Sequence, residues 1–181
     1  TTDMTVYPLL FGGGTSILIL LLNKYLIKYT FKETFNSGKG IWYSDILIGI
    51  GLAVIYFAMF FLERATLYQW IPNKNPPNTE LIDVMMDLAN SPMLMVIWFG
   101  PVLWIGIALF EELSRTFLLK TLWNMNKNKD WHVTAIMLAS ALIGLVHSYQ
   151  GAAGIISIAL KSVVVSFYFY KYRRILPLII A

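Results

Sequence analysis

The chain of 181 residues is 57% hydrophobic and only 13% charged, carries a formal net charge of +4 and has no cysteine. So few charged side chains cannot cover the core of a water-soluble globule, and the composition reads as that of a membrane protein. Disulfides and thiolate metal sites are excluded, and the basic residues sit beside apolar spans instead of forming a footprint for nucleic acid, so no nucleic-acid partner is expected.

Thr1 at the start and an apolar run, residues 175–181, at the end suggest a fragment or a trimmed chain. Residues 4–23 are free of charge, the length that crosses about 30 Å of hydrocarbon as helix and too long for a signal peptide. They form the expected first span, in which Gly12, Gly13 and Gly14 mark a weak or closely packed turn. Lys24, Lys28, Lys32 and Lys39 follow, opposed only by Glu33, and Asn36-Ser37-Gly38 marks the loop. Ser44 or Asp45 can cap a second span over residues 46–62, continuing through Glu63 and Arg64 toward Trp70. Residues 72–78, with Pro72, Pro76 and Pro77, break helix and form the clearest linker. Over residues 79–90, Glu80, Asp83 and Asp87 share one helical face among apolar neighbours, which predicts a short interfacial helix.

Ser91-Pro92 is a helix start, and residues 88–110 carry no charge. The helix-compatible stretch 92–124 would be about 50 Å long, too long for one straight span, so Gly100-Pro101 is expected to kink it and leave Glu111 and Glu112 in a second helix. Lys120, Lys127 and Lys129 flank Asn124-Met125-Asn126. Asp130 can cap the next span, residues 131–147, and Gln150-Gly151 turns the chain into another, residues 152–170, ending in Lys171, Arg173 and Arg174. Leu176-Pro177 begins a last helix. The expected fold is all-α: a single membrane domain over residues 1–181, a polytopic membrane helical bundle with about five complete transmembrane helices, a short interfacial helix and the start of a sixth. The positive-inside rule places the three basic loops in the cytoplasm and the His147 turn toward the opposite face.

Glu111, Glu112 and Arg115 stand inside otherwise apolar sequence, where each centrally placed charge costs roughly 2.5 to 3.5 kcal/mol on insertion scales. A carboxylate with a histidine, here His147, can activate water to cut a peptide bond, provided donors stabilise the oxyanion. The same residue types also suit an interhelical ion-pair network, or a charge relay of a small transporter through Glu111, Glu112, Arg115 and Lys161. Lys161 lies mid-span and either faces the bundle interior to pair with an acid or marks a shifted helix. His132 beside Trp131 reads as interfacial, and residues 167–170 with Tyr172 as an aromatic belt. Tyr149 and Gln150 either line the site or end a helix. His132 and His147 are about 22 Å apart along one helix and cannot share an ion. Without cysteine, one histidine and two glutamates make a poor zinc site, so no cofactor is expected and zinc is a minor alternative.

The run Phe110-Glu111-Glu112-Leu113-Ser114-Arg115-Thr116-Phe117-Leu118-Leu119, followed by Leu145-Val146-His147-Ser148-Tyr149-Gln150-Gly151, resembles the CAAX prenyl protease and bacteriocin-processing family of intramembrane glutamate endopeptidases. The likeness covers about residues 105–181 and leaves residues 1–90 outside it. It implies a metal-free endopeptidase that cleaves a membrane-associated peptide or protein, in a multi-pass protein of a prokaryotic plasma membrane. In the family the first glutamate of the pair is the general base, the first histidine orients or activates water, and a later histidine with Asn or Asp forms the oxyanion site. Two departures stand out. Leu113 and Ser114 alone separate the pair from Arg115 where the family has three residues, so aligning on Arg115 would put Phe110 in the first glutamate's place. Helix geometry favours Glu111 as base, because Glu112 and Arg115, three apart, can pair on one face with Glu111 offset by about 100°. The family's third motif would be expected just beyond residues 178–181. A noncatalytic member with an immunity or scaffold role is the alternative.

Overall fold

The computed structural model describes residues 2–71 and 86–181. The linker 72–78 and most of the interfacial helix expected over 79–90 lie outside the described residues; residues 86–90 are helical. The architecture is all-α, with no strand among the described residues. Helix α1 (Thr2–Leu22) runs on through a wide π turn (Asn23–Ile27), and a short α2 (Phe31–Phe35) precedes α3 (Trp42–Ala65) and α4 (Leu67–Trp70). Then α5 (Pro92–Ile97) passes through a wide-turn segment (Trp98–Leu109) into α6 (Phe110–Met125). Helix α7 (Lys129–Val146), a 3-10 turn (Ser148–Gln150), α8 (Gly151–Tyr172) and α9 (Leu176–Ile180) complete the order. Among the described residues five segments are long and apolar enough to cross a membrane: Val6–Ile27, Trp42–Trp70, Pro92–Met125, Lys129–Val146 and Ser148–Tyr172. Large apolar side chains such as Leu47, Val54, Phe57 and Val96 point outward along these spans, as a hydrocarbon solvent permits. The chain is a polytopic helical membrane protein.

Local sequence sets several helix ends. The side chain of Ser91 accepts from the Leu94 amide at 3.4 Å, with Pro92 in the first turn where its missing N–H costs nothing. Thr30 and Glu33 close a capping box on α2. The kink expected at Gly100-Pro101 is present: Gly100 has φ −92° and ψ −107°, outside the helical region. Two expected caps are corrected. Asn128, not Asp130, caps α7, its side chain accepting from the Asp130 amide at 3.1 Å. Helix α3 starts at Trp42 with no side-chain cap, and Asp45 is instead buried against Arg174, whose Nε donates to its two carboxylate oxygens at 2.7 and 3.0 Å.

The main core joins Leu52 of α3, Leu119 and Trp123 of α6, Ala135, Ile136 and Ala139 of α7, and Val165 and Phe169 of α8. Phe169 is therefore packed inside, its ring stacked on Trp123 at 6.1 Å, whereas the sequence reading placed it in an interface belt. Glycines let backbones approach. A Cβ at Gly144 would meet the Ile155 carbonyl at 2.6 Å, which sets the tight α7–α8 hairpin, and one at Gly49 would meet Ile180, which holds α9 on α3. The basic loops gather at one end of the bundle. The Gly38 amide donates to the Arg173 carbonyl at 3.0 Å, Arg174 reaches Asp45 and the Gly38 carbonyl, and the Arg173 guanidinium lies 4.2 Å from the centre of the Trp123 ring.

Candidate active site

Helix α6 opens with Phe110, Glu111 and Glu112 directly after the wide-turn segment, so the kink upstream decides how the carboxylates enter the bundle. Glu112 turns inward, is buried, and pairs with the equally buried Arg115 one turn on. Its backbone carbonyl accepts from Thr116 Oγ1 at 2.6 Å. Burial of a charge is tolerable when a partner accompanies it, which this pair supplies within one helix.

Glu111 points elsewhere, with its side chain 39% exposed. Its Oε1 lies 3.7 Å from His147 Nε2, across the gap between α6 and the end of α7. His147 ends α7, its amide bonded to the Gly144 carbonyl at 3.0 Å. Its Nδ1 is 2.8 Å from the Ile143 carbonyl. A carbonyl only accepts, so Nδ1 carries the proton, and in the neutral ring Nε2 presents a lone pair toward Glu111. At 3.7 Å the two atoms are close enough for a single water beside them to hydrogen-bond to both.

Two cavities meet at this carboxylate. One of about 480 Å³ is lined by Glu111, Arg115 and His147 together with apolar residues. The other, about 270 Å³, is lined by Glu111, Glu112, Arg115, Tyr56 and Lys161 and closed by residues of α9. Glu111 and Arg115 line both. Lys161 does face the interior: its Nζ is 2.8 Å from Glu63 Oε2 and 2.8 Å from Ser157 Oγ, and Ser157 donates to the same carboxylate oxygen at 2.7 Å. Tyr56 Oη reaches the Lys161 carbonyl at 3.4 Å.

Sequence reasoning singled out Glu111, Glu112, Arg115 and His147, and the fold brings these four to one place. It missed Tyr56, which lines the smaller cavity with them, and Ser157 beside Lys161, and it left Lys161 without a named partner. The available signal for Glu63 was its charge at the end of an apolar run, which demands a partner within the bundle. His132 stands apart at the far end of α7, its ring 5.6 Å from that of Trp123 and 5.8 Å from that of Tyr170. Tyr149 is mostly exposed and its ring lies 5.8 Å from that of His147, while its hydroxyl accepts from Gln150 at 3.0 Å. Among the described residues no group of three or more His, Asp or Glu converges in a way that could hold a metal ion.

These features define a class: a polytopic helical membrane protein in which one carboxylate of a glutamate pair and a histidine from a neighbouring span line one cavity. Residues 93–181 match the family described as type II CAAX prenyl endopeptidase Rce1-like. The matched segment runs from α5 to the last residue and includes Glu111, Glu112, Arg115 and His147. No curated protein and no solved structure matches the chain. The family points to a function of the intramembrane protease type.

Proposed function

We propose that this chain is an intramembrane endopeptidase that hydrolyses a peptide bond of a membrane-associated peptide or protein with a water activated by Glu111 and His147, without a metal. The observation that carries the reading is the pairing of Glu111 Oε1 with His147 Nε2 at 3.7 Å on the wall of a cavity large enough to admit a peptide segment. A water beside the pair donates one hydrogen bond to each. As its oxygen attacks the carbonyl carbon, Glu111 takes the proton and then returns it to the nitrogen of the leaving amine as the C–N bond breaks. The Ile143 carbonyl keeps the imidazole in the tautomer that accepts from that water. Glu112 and Arg115 hold each other and so keep α6 in register without entering the chemistry. The apolar lining excludes bulk water and strengthens the electrostatics of the attack. The site lies toward the end of the bundle away from the basic loops, which the positive-inside rule assigns to the cytoplasm of a prokaryotic cell membrane.

A transporter reading draws on the cavity shared by Glu111, Glu112, Arg115 and Lys161, but Lys161 spends its charge on Glu63 instead of on that row. The test is cleavage of a pool of membrane-peptide reporters by purified protein, with Glu111→Gln and His147→Ala alongside and a chelator arm. Loss of about 10²- to 10⁴-fold in each variant, with wild-type turnover surviving chelation, is the expected result. Activity that chelation abolishes would mean a metal route. Absence of cleavage would favour the noncatalytic role, and ion flux without cleavage the transporter.

A further inference from the structure

The family match begins at residue 93, yet the larger cavity beside Glu111 and His147 takes its opposite wall from α1, through Tyr7, Pro8 and Phe11. Glycine contacts fix that wall. A Cβ on Gly12 would overlap the Gly106 carbonyl, and one on Gly106 would meet the Pro8 carbonyl carbon at 2.9 Å, so α1 lies directly on the segment that leads into α6. This brings the Phe11 ring edge-on to Phe110, with centroids 5.5 Å apart and planes at 74°. Tyr7 stacks on Phe11 at 5.7 Å with planes at 4°. The facing side is Ile143, Val146 and His147 of α7. Tyr7 and Phe11 remain 67% and 51% exposed, so the stack is not filled against other parts of the chain.

We propose that α1 supplies the specificity wall of the site, with the Phe11–Tyr7 stack selecting an apolar side chain next to the peptide bond held at Glu111 and His147. The proposal rests on the endopeptidase reading. A carbonyl presented to Glu111 and His147 directs one flanking side chain into the cavity they line, where apart from Ser114 and Arg115 the remaining walls are aromatic and aliphatic. Phe11, braced edge-on by Phe110, limits the depth available, while Tyr7 forms the rim. A cavity of about 480 Å³ lies within the roughly 300–1,000 Å³ of ordinary ligand pockets and has room for a large apolar side chain. The occupant is a peptide with a bulky apolar residue flanking the cleaved bond.

The experiment uses reporter peptides that differ only at that flanking position, carrying Ala, Leu or Phe. Phe11→Ala deepens the cavity and should raise the preference for Phe over Leu about tenfold, while Phe11→Trp should lower it; differences of one or a few carbons in an apolar pocket carry effects of that order. Tyr7→Ala provides a second variant should Phe11→Ala fail to fold. The same series is measured for binding, by photo-crosslinking of the peptides to a Glu111→Gln background with and without each α1 change. A preference that shifts in binding while no protein cleaves supports the wall and sinks the endopeptidase reading. Preferences that stay fixed in both cleavage and binding, or a uniform loss across the three peptides, overturn the wall.

Discussion

Glu63 and Lys161, 98 residues apart in sequence, meet at 2.8 Å between α3 and α8. The carboxylate side chain is 6% exposed and the ammonium side chain 20%. Removing one partner leaves the other charge in a low-dielectric setting, so Lys161→Ala should destabilise the protein by about 3–5 kcal/mol. The double change Lys161→Met with Glu63→Leu should recover most of that loss, because a buried pair is often replaceable by apolar packing. Unfolding by increasing SDS fraction in mixed micelles measures both. A single variant as stable as the wild type would show that the pair is solvated.

Glu111 and Glu112 are neighbours in sequence with opposite expected phenotypes. Glu112→Ala leaves Arg115 buried and unpaired and should cost about 3–5 kcal/mol of stability. Glu111→Ala, at a side chain 39% exposed, should change stability by less than about 1 kcal/mol and act on turnover alone. Melting curves and cleavage rates on the same preparations separate the two. If Glu112→Ala folds normally and only turnover falls, the assignment of base and structural partner is reversed.

Gly12 and Gly14 of α1 make a matched pair. A Cβ at Gly12 would collide with the Gly106 backbone, and Gly12→Ala should cost about 1–3 kcal/mol through overpacking. Nothing lies within 4 Å of a Cβ at Gly14, so Gly14→Ala should stabilise α1 by roughly 0.5–1 kcal/mol through the lower entropy of the unfolded chain. The same SDS titration reads both signs, and a destabilising Gly14→Ala would contradict the placement of α1.

Helix α2 carries a pH dependence of known sign. Hydrogen bonds from the Thr30 hydroxyl and amide, each at 2.7 Å, lower the proton affinity of Glu33 below the usual carboxylate value. A carboxylate with a depressed folded-state pKa contributes stability that is complete above its unfolded value, about 4.3, and is lost as pH falls through the folded value. Amide exchange at Thr30 and Glu33 should therefore accelerate on acidification below that range, beyond the intrinsic pH effect on exchange. Protection that is constant from about pH 6 to about pH 3 would show that the capping box does not hold the helix.

Composition, charge-free run lengths and helix punctuation carried the architecture. The five spans, the Gly100 kink and the Ser91-Pro92 start follow from local rules, since a bilayer leaves a chain this apolar few choices besides helices that satisfy their own backbone. The spacing of Glu112 and Arg115 on one helix made their pairing legible for the same reason: partners three residues apart share a face whatever surrounds them.

What sequence alone left open were relations between helices. The distance from Glu111 to His147 depends on how α6 leaves the wide-turn segment and where α7 ends, and the choice of Glu63 as partner to Lys161 depends on the rotation of α3 against α8. Asp45 turned from an expected cap into the carboxylate that clamps Arg174, and Phe169 from belt to core, because packing across helices outweighs the roughly 1 kcal/mol that a local cap supplies. The sequence by itself determined the spans and the inventory of charged groups within them. Only the tertiary structure decided which charges neutralise one another and which carboxylate faces the cavity, since those outcomes follow from long-range burial and not from periodicity.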